Sequence, residues 1–158
     1  MTTDIVIDTN VFVHAHNAAI PEHADALLFC NLVRNHTVTI CLDEGFSLIE
    51  SDNRSQIGEE YLQHLRAGSV GLALVAHLAS TGRMRFVAAL ITPPDRRWLR
   101  KQIPRNGVDR TYVIVALNTE DRVLVSHDRT DFTPNVRASL LNRLDVNVIF
   151  ADAAQAIL

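Results

Sequence analysis

The sequence predicts an α/β fold built around a parallel β-sheet. Two observations carry this expectation. Short runs with strand character alternate with longer runs of helical character along the whole chain, the pattern of strands joined by crossover helices. The chain also opens on the β-branched run Ile5-Val6-Ile7, which reads as a buried strand.

In chain order, the first strand is expected over Asp4–Asp8, followed by helices over Asn10–Asn17 and Glu22–Arg34 and a second strand over Thr37–Leu42. Helices follow over Gln56–Arg66, where Ile57, Tyr61, Leu62 and Leu65 mark one apolar face, and over the apolar Val70–Ser80. A weaker strand falls near Met84–Val87. Pro93-Pro94 and Gly107 then punctuate a short helix over Pro94–Lys101, and an apolar helix runs over Val108–Asn118. The last elements are a strand over Arg122–Ser126, a helix over Pro134–Leu141, a strand over Asn147–Phe150 and a helix over Ala151–Ile157. No repeat, low-complexity tract or charge block divides the chain, so residues 1–158 are expected to form one domain.

Composition narrows the chemistry. A chain of 158 residues with 47% apolar and 21% charged residues is of ordinary globular type and long enough to bury a full core. A net charge of −3 shows that the molecule as a whole is not a basic nucleic-acid binder, while leaving room for a local basic patch. Of the fifteen basic residues only Lys101 is lysine, which argues against lysine-based catalysis. Cys30 and Cys41 lie in apolar contexts and are expected to be buried thiols in a reducing compartment. Asp4 and Asp8 interrupt the N-terminal apolar run, unlike a signal peptide. The longest apolar stretch, Val70–Ala79, is too short to span a bilayer. A cytoplasmic protein without membrane contact is expected.

The acids carry the functional signal. Asp8 ends the first strand, and Asp128, in Ser126-His-Asp-Arg-Thr-Asp-Phe132, follows another; in open α/β sheets ligands bind beyond the carboxyl ends of strands. With no lysine near either in sequence, the two carboxylates point to a metal site. Asp109 stands in the first turn of an apolar helix, where capping and the helix dipole alone would explain it; its company with acids at strand ends argues for more. A further acid must come from the middle of the chain. Glu60 borders the buried face set by Ile57 and Tyr61, Glu59 points further out, and Glu50 competes with Glu60. An all-oxygen site suits Mg²⁺ or Mn²⁺, and no Cys/His pattern argues for structural zinc.

A basic segment precedes Asp109: Arg96, Arg97, Arg100, Lys101 and Arg105, with Trp98 among them. Arg96, Arg97, Arg100 and Lys101 share a helix face, suited either to phosphate contact or to plain solvation. Trp98 is expected in the core rather than as a base-stacking platform.

The opening Ile5-Val-Ile-Asp-Thr-Asn-Val-Phe12, then Leu42-Asp43 followed by Glu60-Tyr61, then Asp109 leading an apolar helix to Ala116-Leu117, then Leu124-Val-Ser-His-Asp128 with Asp131-Phe132, give a chain that resembles the PIN domain family of metal-dependent nucleases over nearly its whole length. The resemblance implies a three-layer α/β/α sandwich with a central, mostly parallel β-sheet. It also implies an endoribonuclease that leaves a 5′-phosphate, with Asp8, Glu60, Asp109 and Asp128 as the acidic cluster. Asp8, Asp109 and Asp128 would be metal ligands and Glu60 a ligand or the group orienting the water. Asn10 would be the polar companion of the first acid, and Asp131 an accessory acid. The implied cofactor is Mg²⁺ or Mn²⁺, and the implied partners are RNA and an antitoxin protein, such nucleases often being the toxin of a toxin–antitoxin pair. The chain departs from the family's compact form between Glu44 and Ile57, which leaves Glu50 in contention with Glu60.

Of the seven histidines, only His127, beside Asp128, is a candidate substrate contact; the others lack the i, i+4 pairing of a zincin helix. Arg96, Arg97, Arg100 and Arg105 are the other candidate substrate contacts, and the Val70–Ala79 helix is a candidate homodimer surface. A haloacid-dehalogenase-type phosphatase would need a second acid at position 10, where Asn10 stands, and a receiver-like domain would need an acid pair there with a late lysine. The alternatives kept are a catalytically inactive PIN-like RNA-binding or scaffold module and a structure-specific DNA nuclease.

Overall fold

A computed structural model describes all residues, Met1–Leu158. Strands β1 (Asp4–Ile7), β2 (Thr39–Asp43), β3 (Met84–Val87), β4 (Val123–Val125) and β5 (Asn147–Ile149) form one sheet. Its order is β3-β2-β1-β4-β5, and every pairing is parallel. Eight helices surround it: α1 (Thr9–Ala15), α2 (His23–Asn35), α3 (Gln56–His64), α4 (Val70–Ser80), α5 (Pro93–Gln102), α6 (Gly107–Leu117), α7 (Pro134–Leu144) and α8 (Ala151–Gln155). The result is a three-layer α/β/α sandwich. Helices α1, α2, α4 and α8 pack together in one layer, and α6 lies against β1, β2 and β4 with α3 beside it.

Ile5, Val6 and Ile7 are all fully buried, because helices cover both faces of a parallel sheet; that is why its strands read as continuous rather than alternating apolar runs. The elements begin where small polar side chains accept from helix N-termini: Asp8 for α1, Ser55 for α3, Ser69 for α4, Thr92 for α5, Asn106 for α6 and Thr133 for α7. Pro93 and Pro134 occupy first helical turns, where their missing N–H is not needed. Asp145, at φ 57°, closes α7 in a left-handed cap after Leu144, three residues beyond the expected end at Leu141. Cys30 and Cys41 are buried free thiols.

The chain between β2 and α3 contains a 3-10 turn, Glu50–Asp52, that the sequence does not announce. The segment closes on itself: the Arg54 amide donates to the Gly45 carbonyl, with Gly45 at φ 88°. Asp43, at the end of β2, accepts from Ser55 Oγ and from the Gln56 and Ile57 amides. Its carboxylate therefore anchors the start of α3, and with it the orientation of Glu60.

Helix α4 uses its apolar side within the fold. Gly71, Leu74, Val75 and Leu78 are buried against α1 and α2, and the positions it leaves exposed include Ala73 and Ala76. One side of the apolar run expected as a dimer surface is thus accounted for by burial within the fold. Gly71 is required by close approach, since a Cβ there would lie 2.5 Å from Phe12 Cβ. No helix is long and apolar enough to cross a membrane.

β1 leaves toward β2 on one side, while the chain returns from β3 to β4 on the other, so the strand order reverses between β1 and β4. Adjacent connections diverge there and open a crevice beyond the carboxyl ends, the general ligand position of such sheets. Asp8 follows β1 directly, and Ser126-His127-Asp128 follows β4.

Candidate metal centre

β1 carries two buried aspartates in opposite situations. Asp4, at the far end of the strand, is ion-paired with Arg85 and accepts from the Glu120 and Asp121 amides. Asp8, 5% exposed, has no cationic partner. Its Oδ2 accepts from Ser126 Oγ at 2.6 Å and Asn10 Nδ2 at 2.9 Å, and its Oδ1 from the Asn10 amide. Burial pushes its carboxyl up to about 6; the Ser126 and Asn10 hydrogen bonds act downward, and repulsion from Asp128 and Glu60 upward.

Around Asp8 lies a cleft of about 260 Å³, whose walls include Asn10, Glu60, Asn106, Asp109 and Asp128. The fold therefore brings the four acids expected from the sequence into one crevice. Asp109 reaches it from the first turn of α6, whose start is set by Asn106 Oδ1 accepting from the Val108 and Asp109 amides. Asp109 is 5% exposed, and its Oδ2 is a buried oxygen without a hydrogen-bond partner. Burial, then the Asp8 charge, then Asp131 and Asp128 hold its carboxyl well above the ordinary range.

Asp128 organises its own loop. Its Oδ1 accepts from the Thr130 and Asp131 amides, an Asx turn that brings Asp131 back toward the crevice. The tightest donor set is consequently Asp109, Asp128 and Asp131, with one carboxylate oxygen of each lying within 4.8 Å of the others. This differs from the expected trio of Asp8, Asp109 and Asp128: Asp131 stands in the tight set, and Asp8 stands beside it, oriented by Ser126 and Asn10. An unpartnered buried oxygen and three or four hard carboxylates with no arginine or lysine among them fit a Mg²⁺ or Mn²⁺ ion.

Glu60 lines this cleft from the middle of α3, with its Oε2 3.4 Å from His64 Nε2. Glu50 lies in the 3-10 turn and borders a different cavity, with Arg54, Ser55 and Glu59. Glu60→Gln is accordingly expected to weaken Mn²⁺ binding in a calorimetric titration, and Glu50→Gln to leave it at the wild-type value.

Asn10 also joins the ends of β1 and β4, because its Oδ1 accepts from the His127 amide. Two residues with a place in this architecture carry no sequence signal of their own. Ser126, fully buried, donates to Asp8 and accepts from the Asp128 amide. Asn106 both caps α6 and lines the cleft. Small polar residues at strand and helix ends are common, and nothing in their spacing distinguishes these.

His127 does not line the acid cleft. Neighbouring residues of an extended chain point to opposite sides, and while Asp128 enters the crevice, His127 is buried toward α1 and α8. Its Nε2 accepts from the Ala151 amide, so in the neutral ring Nδ1 bears the proton and donates to His14 Nδ1 at 2.8 Å. Burial, then the neighbouring His14, lower its pKa to about 4. A buried ring with both nitrogens engaged is a packing element, which corrects its expected role as a substrate contact.

Arg96, Arg97, Arg100 and Arg105 are exposed, as is Lys101, and none is in an ion pair or borders the acid cleft. They lie on the solvent side of α5 and on the link to Asn106. Trp98 is partly buried against the core, with the Arg143 guanidinium 5.0 Å from its ring centroid and Arg143 bonded to Asp95. This face is unavailable for stacking a base.

No protein-family model matches the chain, and no curated protein matches it.

Proposed function

We propose that the chain is a Mg²⁺- or Mn²⁺-dependent endoribonuclease that hydrolyses phosphodiester bonds at the β1/β4 crevice. The observation that carries this reading is Asp109, buried, with an unpartnered oxygen among Asp8, Asp128 and Asp131 at the reversal of strand order. Such a cluster is unfavourable without a cation. The choice of RNA comes from the resemblance in the order of the acids.

Asp109, Asp128 and Asp131 would hold the cation, with Asp8 at its side. A divalent ion bound there acts as a Lewis acid toward a phosphoryl oxygen and lowers the pKa of water. Ser126 and Asn10 hold the Asp8 carboxylate in one rotamer, so its position is set before substrate arrives. Glu60, less buried than Asp8 or Asp109, lines the same cleft and would orient a water and accept its proton. His64 stays within reach of that carboxylate through the i, i+4 contact.

The test is cleavage of a mixed panel of RNA and DNA oligonucleotides with Mg²⁺, Mn²⁺ or chelator. RNA cleavage that needs the metal is the expected result. Cleavage of DNA alone would move the chain to a DNA nuclease, and no metal-dependent cleavage of any substrate would refute the reading.

The same reading gives the α5 arginines a role as phosphate contacts. Replacing Arg97 and Arg100 with alanine is expected to weaken RNA binding for all sequences and to flatten the salt dependence of log K by about one unit per lost contact. An unchanged slope would leave them as a solvated face.

A further inference from the structure

We propose that the cavity adjoining the acid cleft on the α1/α4 side is a nucleobase subsite for single-stranded RNA; this deepens the nuclease reading and rests on it. The cavity, about 370 Å³, is bordered by Phe12, Val13, His16, Asn17, His64 and Arg66, with Leu65 and Ser69 completing it. Val13 and His64 also border the acid cleft, so the two spaces share a wall. A nucleotide whose phosphate lies at the carboxylates therefore has this cavity next to it. The volume falls in the range of small-molecule sites, roughly 300–1,000 Å³.

Its chemistry differs from that of its neighbour. The acid cleft has four carboxylates on its walls, whereas this cavity has none. Phe12 and Leu65 are buried beneath it, and Val13, unusually for a valine, is 39% exposed at the shared wall. Around these apolar atoms stand planar polar groups: two imidazoles, an amide and the Arg66 guanidinium, all exposed. His16 Nδ1 accepts from the Val70 amide at 3.4 Å, so a neutral His16 presents Nε2–H as a donor. His64 Nε2 faces Glu60, leaving Nδ1 as an acceptor when Nε2 bears the proton. Asn17 Oδ1 accepts from the Ala19 amide, leaving its NH₂ free. An apolar surface, flat cationic or aromatic side chains and both donors and acceptors are what an unstacked base requires; a phosphate would use the donors alone and leave the apolar surface and the acceptors unmatched.

The walls are set in advance. Gly71 lets α4 approach Phe12, Phe12 meets the Tyr61 ring edge-on at a centroid distance of 5.2 Å, and Tyr61 donates to the Ile7 carbonyl. The Ser69 cap fixes the start of α4. The apolar floor is thus set by the packing of α1, α3 and α4, while His16, Asn17 and Arg66 stand on the connections that follow α1 and α3.

Two measurements test it. In the first, the imidazole resonances of His16 and His64 are followed by NMR in the full chain with Ca²⁺ while AMP, GMP, CMP, UMP or inorganic phosphate is added. At least one mononucleotide is expected to shift His16, inorganic phosphate is not, and the double variant His16→Ala/Arg66→Ala, checked by melting, should weaken that mononucleotide about tenfold or more. In the second, Mn²⁺-dependent cleavage is compared between an RNA oligonucleotide and copies with one abasic residue on either side of the scissile phosphate. Loss of one of these bases is expected to lower kcat/KM about tenfold in the wild type and to have little further effect in the double variant. Additive losses, or no mononucleotide shift at His16, would overturn the subsite while leaving the nuclease intact. A His16 shift selective for mononucleotides in a chain that cleaves nothing would uphold the subsite and overturn the nuclease reading.

Discussion

Asp8→Asn is expected to abolish metal-dependent cleavage in a protein that still folds. The amide is nearly isosteric, and with its oxygen in the Oδ2 place it still accepts from Ser126 Oγ and Asn10 Nδ2, giving up only the 3.3 Å bond from the Asn10 amide, so the β1/β4 junction has no reason to open. What is lost is a negative charge beside the cation and the lone pairs turned toward it. Removing one preorganised electrostatic partner at a reacting centre costs about 3–4 kcal/mol, or 10²–10³ in rate, and the loss of charge at a metal centre places the effect at the upper end or beyond. The informative control lies on the same strand. Asp4→Asn breaks the contact with Arg85 and weakens two backbone hydrogen bonds at the opposite end of β1. It should lower the melting temperature through a loss of about 1–3 kcal/mol while the folded fraction cleaves normally. Equal cleavage by folded Asp8→Asn and wild type would rule out the metal site.

Why Asp8 and Asp128 stand out in the sequence, and other members of the site do not, has a physical basis. A strand buried on both faces is a run of apolar residues, so the first acid after such a run marks the strand's end, and in a parallel sheet every such end faces the same way. β1, β2 and β4 are found in this manner, whereas Met84–Val87, at the sheet edge with Arg85 and Phe86 exposed, gives only a weak signal. Glu60 is different. The spacing of Ile57 and Tyr61 identifies a buried face of α3, but which direction that helix leaves β2 is decided by the Asp43 carboxylate gripping its first turn, a contact between residues well separated in the chain that no local pattern reveals. Asp131 likewise enters the tight set through a turn made by the Asp128 side chain, and Ser126 matters only because β1 and β4 are neighbours. His127 shows the converse error: adjacency to Asp128 in sequence places its ring on the opposite side of the chain.

The acid cluster should also write its charge into the pH dependence of stability, and the Asp8→Asn protein makes that contribution measurable. In the unfolded chain Asp8 ionises near its ordinary value of 3.8, but in the folded chain not until about 6. Between these values the folded state holds the extra proton, so the Asp8 contribution to stability is fully present below pH 4 and declines as pH rises to about 6, by up to about 3 kcal/mol in the absence of metal. Asp109, raised further, extends the decline to higher pH. His127 works in the other direction: its folded pKa of about 4 lies below its ordinary 6.5, so its contribution is present above pH 6.5 and is lost as pH falls toward 4. Because the two opposing trends overlap, the wild-type curve alone does not isolate either. The difference between Asp8→Asn and wild type removes the His127 contribution, and the variant is expected to gain stability relative to wild type from pH 4 to pH 7 in chelator. Mn²⁺ should reverse the order above pH 7, since an ion stabilises each folded protein by RT ln(1 + [Mn²⁺]/Kd), the variant, without the Asp8 charge, binds it more weakly, and binding strengthens as the carboxylates lose their protons. Denaturant titrations at pH 4, 5.5, 7 and 8, each with chelator and with Mn²⁺, measure this difference. A difference that stays flat with pH and insensitive to Mn²⁺ would mean that Asp8 is an ordinary helix cap whose burial has no bearing on a cation.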